Sequence, residues 1–414
     1  MDGVAIYPAD SAAIDAFGRW RTSNPASLFD SQAQYDTFTL LWNEKITNNS
    51  GNAAITHLPN ESSVNLTVGQ NDTIIRQTKA YHRYQPGKSQ YILMTFAGAT
   101  PTAGITQRVG YFDDRNGIFL EVSGTTLRFV RRTYVTGAAV DNVVAQADWK
   151  PDTLIGNRDG QRNPSGYQLD VSKTQILVID MEWLGVGRVR IGFVMDGQII
   201  YANYFKNANV LTSVYMTTAN LPVRYEISST ISAVHSLKQI CSQVISEGGF
   251  ETERGIPISA GNGTTSVSVT TRRPILSIRP RALFNSIVNR GQIRQAEVEV
   301  FADDQNTFFE LIYGGTLTGA SWANVDTTYS IVEKDVAATA ITGGVKVGSG
   351  YVVVGAGIIG GEIHKDVLSK LPLALDIDGN HPTTPLTDSL SVVATSIPGG
   401  ATDTAAELNW LELR

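Results

Sequence analysis

A single cysteine, Cys241, occurs in this 414-residue sequence. One thiol cannot close an intrachain bridge, which excludes a disulfide scaffold. The expectation for it is a small apolar side chain buried in a strand. Charge is sparse as well: charged residues make up 17% of the chain, and the net charge is −6. A free-standing nucleic-acid binder shows a basic face or tail, and no long Lys/Arg run is present. Arg131-Arg132 and Arg272-Arg273 read as solvated strand faces. No stretch approaches the ~20 apolar residues of a membrane-spanning helix. Met1-Asp2-Gly3 carries no basic segment ahead of a long apolar run. The expectation is a soluble protein made in a cytoplasm, with neither nucleic acid nor membrane as a partner.

Catalytic constellations are missing too. The five histidines are scattered, and none has a ligand partner at metal spacing. No Gly-x-Ser-x-Gly elbow is present. Asp113-Asp114, Asp303-Asp304 and Asp376/Asp378 lack the loop pattern of a calcium site and read as turns. Tyr351 to Gly360 looks like a strand running into a Gly-x-Gly-x-x-Gly fingerprint, with Asp376 at the distance of a ribose ligand. No βαβ unit surrounds it, and Leu371-Pro372 cuts short any crossover helix, so it reads as a glycine-rich strand end. Glu182-Trp183 is the first carboxylate to examine for glycoside hydrolysis, which needs two carboxylates across one cleft. A strand-end Glu beside a packed Trp is the plainer reading. The expectation is no catalytic residue, no metal, no cofactor and no enzyme.

What the sequence does contain is strand and turn. Glycine numbers 38, and apolar residues make up 42%. Apolar alternation predicts strands at Thr37–Trp42, Ser63–Val68, Thr73–Tyr81, Gln90–Phe96, Arg108–Asp113, Ile118–Val122, Thr126–Tyr134 and Val140–Ala145. Further strands are expected at Gln175–Trp183, Arg188–Met195, Gln198–Phe205, Val214–Thr218, Arg224–Ser229 and Leu237–Ser246. Asp196-Gly197 is a tight hairpin turn. Trp149–Gly166 is a polar loop long enough to be functional or covered by a neighbour. Gly248–Gly263 is rich in glycine and reads as a boundary. Beyond it come Ser266–Thr270, Pro274–Pro280, Ser286–Val288, Ala296–Phe301, Thr307–Tyr313, Tyr329–Val332, Gly350–Val354, Leu371–Ile377, Ser389–Thr395 and Glu407–Leu413. Asp366–Lys370 is one helical turn. The fold class is all-β: two antiparallel β-sandwich or jelly-roll domains preceded by an extended N-terminal arm. The arm spans 1–37, the first sandwich 38–256 and the second 257–414.

The arm breaks the pattern. Phe17, Trp20, Phe29 and Tyr35 crowd a segment interrupted by Gly18 and Pro25, with no long stripe of period 2 or 3.6. Aromatics so arranged need a folded surface to dock on. Phe17, Trp20 and Phe29 are expected to fill pockets on a neighbour, and Arg19 and Arg21 to pair with carboxylates at the rim. Together with Pro25 they form the candidate interaction site. Docking on the chain's own first sandwich is the alternative.

Four stretches resemble a group of tailed-bacteriophage virion proteins. They are Ala16-Phe-Gly-Arg-Trp-Arg-Thr-Ser-Asn-Pro25 with Leu28-Phe-Asp-Ser31; Leu177 to Gly197; Asn220-Leu-Pro-Val-Arg-Tyr-Glu226 with Ile245-Ser-Glu-Gly-Gly249; and Leu408-Asn-Trp-Leu-Glu412. The resemblance implies a non-enzymatic virion component with a concanavalin/laminin-G-like sandwich in its middle. It favours a tail protein forming an oligomeric ring or outer sheath around a short tail. A neck, baseplate or capsid-attached fibre protein, or a glycan- or receptor-binding module of the virion, is the alternative. The implied partners are further copies of the chain and other tail, portal or neck proteins, with a host-surface glycan as a further candidate.

Overall fold

A computed structural model describes residues 14–21, 24–249, 255–354, 361–364, 368, 370–383, 388–397 and 399–414. The chain divides into two compact units. The first comprises Met1–Phe38, Glu44–Thr78 and His82–Glu251; the second comprises Thr39–Asn43, Lys79–Tyr81 and Thr252–Arg414.

Among the described residues, fifteen strands precede the glycine-rich boundary. They are β1 Ala26–Gln32, β2 Trp42–Thr47, β3 Ala54–Leu58, β4 Ser63–Val68, β5 Thr73–Thr78, β6 Gln90–Ala97, β7 Ile105–Phe112 and β8 Gly117–Ser123. Then follow β9 Thr126–Thr133, β10 Val140–Ala145, β11 Thr174–Met181, β12 Val189–Met195, β13 Gln198–Phe205, β14 Val223–Ser229 and β15 His235–Ser246. They form two antiparallel sheets. One runs β13-β12-β11-β6-β15-β4-β3, with β1 also on β15; the other runs β10-β9-β8-β7-β14-β5-β2. The sheets face each other. Tyr225 Oη on β14 lies 2.9 Å from Ser242 Oγ on β15, and Arg76 Nε on β5 donates to Gln239 Oε1 on β15 at 2.6 Å. Alternation places Ile92, Met94, Phe96, Leu177, Ile179, Ile191 and Phe193 inside against Val109, Tyr111, Leu120, Tyr225 and Ile227, all buried. Full burial of each such side chain stabilises by about 1.5–3 kcal/mol.

The second unit carries β16 Ile256–Gly261, β17 Val267–Val269, β18 Arg273–Pro280, β19 Leu283–Phe284, β20 Ile287–Val288, β21 Gln292–Ala302, β22 Asn306–Tyr313 and β23 Thr316–Thr318. It continues with β24 Ala323–Asn324, β25 Val332–Asp335, β26 Ala340–Thr342, β27 Val345–Val352, β28 Gly361–His364, β29 Leu390–Ile397 and β30 Thr402–Leu413. One sheet runs β16-β30-β21-β28, with β17 also on β30; the other runs β24-β25-β18-β29-β22-β27. Ile278, Phe309, Leu311 and Val392 from one sheet and Val298, Val300, Leu408 and Trp410 from the other share one apolar core. The all-β sandwich architecture expected from the sequence is therefore present.

Several local expectations need correction. Thr37–Trp42 is not a strand: the Asp36 carboxylate accepts the Phe38 amide at 2.7 Å, Phe38 turns to φ 50°, and pairing starts only at Trp42. Val214–Thr218 and Leu371–Ile377 lie outside any ladder. Their apolar residues record burial: consecutive Tyr215 and Met216, and alternating Leu373 and Leu375, are inside. Tyr329–Val332 is displaced to β25. Strands β1, β3 and β16 lie where no strand was expected, β16 within the boundary stretch. Cys241 is exposed, not buried. A register shift between Gln239 and Ser242 exchanges the faces of β15, so Leu237 and Gln239 point inward before it and Ser242 and Val244 after it. Asp196-Gly197 does make the tight turn, with φ 49° and 77°. The glycine fingerprint at 355–360 lies outside the described residues, as does most of Asp366–Lys370.

Candidate functional site

The arm begins as a small closed loop. The Asp15 amide donates to Arg19 O at 2.8 Å. The Asp15 carboxylate accepts the Phe17 and Arg19 amides at 3.0 and 2.9 Å and Arg19 Nε at 2.7 Å. An isolated bridge joins Ile14 to Trp20. This carboxylate-centred turn fixes the backbone on either side of Gly18, whose φ is 80°.

Arg21 locks that loop to the outer face of the first sheet. Its guanidinium donates to Asp180 on β11 and to Glu247 just past β15, and its Nη2 reaches Tyr201 Oη at 3.1 Å. It lies 4.7 Å from the centre of the Tyr91 ring and donates through Nε to Ile14 O at 3.2 Å. Arg190, paired with Asp180 across β11 and β12, donates to the same carboxylate and to Ile14 O. Tyr201 Oη donates to Asp180 at 2.9 Å. Two cations and two carboxylates thus close a neutral cluster in which Asp180 and Arg190 are fully buried. Burial would lower the Arg21 pKa, but Asp180, Tyr201 and Glu247 more than offset that and raise it. Burial pushes the Glu247 carboxyl above its ordinary range against the pull of Arg21. Burial also pushes the Tyr91 hydroxyl up to about 12.

The other candidate residues flank this latch. Trp20 is 61% exposed beside the pinned Arg21. Phe17 is half-buried under the Arg19 guanidinium, 5.1 Å from its ring centre. Pro25 is exposed and leads into β1. Strand β1 pairs with Cys241–Ser246 of β15, and Phe29 packs on His82 with ring centres 5.0 Å apart. The carboxylates that Arg19 and Arg21 meet therefore belong to the same chain. Sequence reasoning missed Asp180, Arg190, Tyr201 and Glu247. A signal was available: an aspartate inside the apolar run Leu177-Val-Ile-Asp180-Met needs a buried cation, and Arg190 lies in the strand that follows.

A second ion network covers the outer face of the other sheet. Arg108 donates to Glu121 at 2.6 Å and to Glu226 at 2.5 Å; Arg128 donates to Glu121 at 2.5 Å, and Arg224 to Glu226 at 2.8 Å. Trp183 is packed, as the plainer reading had it: its Nε1 donates to Met216 O at 3.3 Å, and Tyr84 meets it edge-on at 5.9 Å. Burial raises the Glu182 carboxyl, with Arg188 opposing. The long loop is tied to itself. Asp152 accepts the Leu154 and Ser165 amides at 3.0 and 2.9 Å, and Asn163 donates to Gly156 O at 2.6 Å. Asp376 accepts the Asn380 amide at 2.8 Å and closes a turn. Among the described residues no group of three His, Cys, Asp or Glu side chains is placed to hold a metal ion.

No protein-family model matches the sequence, and no curated protein matches it. Solved structures match about half of the chain. The Bacteroides ovatus mixed linkage glucan GH16, in complex with a G4G4G3G product, is 9% identical; the match covers 52% of this chain and 99% of that one at a TM-score of 0.35. The legume lectin-like domain from Entamoeba histolytica is 10% identical over 53% of this chain and 97% of its own, at 0.31. A GH43 glycoside hydrolase is 14% identical over 54% of this chain, which spans 42% of that protein's length, at 0.30. Likenesses this distant carry no functional argument, and nothing in them points to a virion component.

Proposed function

We propose that this chain is a non-enzymatic structural protein of a tailed-bacteriophage particle, a tail component that assembles into a ring or outer sheath. The observation that carries the reading is the latch. Three of the stretches that resemble virion proteins meet there, and they contribute Arg21, Asp180 with Arg190, and Glu247. What they build is a mount. It holds Trp20 outward on a fixed backbone, and a rigid exposed Trp flanked by arginines is the composition of an interface anchor. Repeated copies joined through such an anchor close into a ring when the rotation allows. The buried carboxylates support a non-catalytic reading, because Asp180, Glu121 and Glu226 are each committed to guanidinium groups. A glycosidase needs two carboxylates facing one open cleft.

The test is Trp20→Ala. The wild-type chain sediments as a closed oligomer and is found by mass spectrometry in purified particles. The variant keeps the wild-type melting temperature and stays monomeric. A strictly monomeric wild-type chain that is missing from particles sinks the proposal. A second reading, a glycan-binding module, is favoured by one feature of the second unit, taken up next.

A further inference from the structure

The geometry points to a glycan-binding platform on the outer face of β22 and β27. The inference deepens the glycan-binding reading and is independent of assembly. Tyr351 is 65% exposed, and Phe308, its cross-strand partner, lies beside it with ring centres 5.1 Å apart. Both rings stand on a sheet face, so their positions are set by paired backbone on two strands. Thr395 of β29 is the cross-strand partner of Phe308 on the other side and shares the face.

Charged groups border the rings. Glu310, two residues along β22 from Phe308, points the same way. It accepts Arg272 Nε at 2.8 Å and lies 3.5 Å from Lys346 Nζ. Arg272 is anchored by a 3.1 Å bond to Ile341 O. Lys346 reaches this face because of a register shift in β27 between the partners of Leu311 and Ile312, which adds a residue and exchanges faces. Its Nζ sits 5.7 Å from the Phe308 ring centre. The result is a short stripe of ring, ring, ammonium, carboxylate and guanidinium.

That stripe matches a pyranose. A sugar ring has one face of polarised C–H bonds, which the negative π face of an aromatic attracts. Its rim of hydroxyls needs donors and acceptors together, which Lys346, Arg272 and the Thr395 hydroxyl supply, while the buried Glu310 carboxylate holds the two cations in place. The apolar part is two rings, far short of the ~800 Å² per partner of a standard protein interface. A nucleotide base also stacks on a tyrosine, and two cations against one carboxylate suit its phosphate, so single-stranded oligonucleotide is the competitor that the test includes.

The test is an array of bacterial, plant and animal oligosaccharides probed with the full chain, followed by titration calorimetry on the best hit. Tyr351→Ala weakens binding at least tenfold, and Tyr351→Phe, which keeps the ring, stays within about threefold. Lys346→Ala, at an exposed side chain, gives an intermediate loss and guards against a folding defect in the first variant. Trp20→Ala leaves binding unchanged, which separates this site from the assembly reading. An array without a hit, equal binding by Tyr351→Ala, or capture of single-stranded oligonucleotide in place of sugar each overturns the inference.

Discussion

Arg21 and Asp180, 159 positions apart in the chain, share an ion pair whose carboxylate is fully buried, and Arg190 binds the same carboxylate oxygen from the adjacent strand. The pair ties an irregular leader to the middle of a sheet. Nothing local to the leader specifies where on the sandwich it docks; the charge does.

Truncating that cation leaves Asp180 with Arg190 and the Tyr201 hydroxyl, and takes the guanidinium from Glu247, which keeps the Ser89 hydroxyl at 3.3 Å. Breaking a buried pair from one side costs about 3–5 kcal/mol, because the remaining charge stays desolvated. Arg21→Ala is expected to lower the stability of the first unit by that amount in urea unfolding. Arg21→Lys recovers little, since an ammonium lacks the planar fork that reaches two carboxylates at once. The double variant Arg21→Ala/Glu247→Gln is expected to be more stable than Arg21→Ala, because it keeps the Asp180–Arg190 pair and removes the surplus carboxylate.

Stability in acid has a separate source. Asp72 is buried, which raises its pKa. The Ser50 hydroxyl at 2.5 Å and the Ser50, Gly69 and Asn49 amides at 2.9, 2.8 and 2.8 Å outweigh burial and hold it below the ordinary carboxylate range. A depressed folded-state pKa contributes stability above the unfolded value of about 4 and loses it as pH falls through the folded value. Asp72→Asn is therefore expected to be less stable than wild type at neutral pH. The gap should close as pH drops below about 4. Urea midpoints at neutral, mildly acid and strongly acid pH measure this, and a gap that widens in acid contradicts it.

Gly192 sets the geometry on which Tyr201 depends. It sits at a register shift in which Ala202 is the extra residue of β13. The shift puts Tyr201 on the same outer face as Tyr204, three residues on, and so within reach of Asp180. A Cβ on Gly192 would lie 2.0 Å from Ile200 O and 2.7 Å from Tyr201 Cα, both backbone atoms that cannot swing aside. Gly192→Ala is expected to cost about 3 kcal/mol, the upper end of overpacking. It should also weaken the latch, read as faster amide exchange in β1.

Much of the fold was legible because period-2 alternation over six to eight residues, as at Ser63–Val68 or Arg188–Met195, is sufficient to place a strand. Three things were not. Alternation reports burial, so Leu371–Ile377 looked like a strand although its backbone joins no ladder. Strand β1 is half-exposed on both faces and carries no stripe, so only its pairing with β15 reveals it. Bulges exchange faces without a sequence mark, which is why Cys241 was placed inside. At the candidate site the aromatic and arginine residues were legible as a docking group. Their counter-charges were not, because Asp180, on β11, and Glu247, just past β15, are distant in sequence.

The loop at 149–166 offers the last test. Its stem is held by Trp149, which stacks on Phe129 at 4.0 Å and donates through Nε1 to Val144 O at 3.0 Å. Its interior is held by Asp152, whose two oxygens accept amides from opposite ends of the loop. Each such bond contributes about 0.5–1.5 kcal/mol, so Asp152→Ala should favour local opening by about 1–3 kcal/mol, a factor of roughly 5 to 150. Arg158 and Arg162 lie within the loop, exposed and suited to trypsin. When opening is fast, cleavage tracks the open population. The variant should be nicked after these arginines faster by that factor while its global melting temperature moves little. If the loop is held by a neighbour in place of Asp152, isolated wild-type protein will already be cut as fast as the variant.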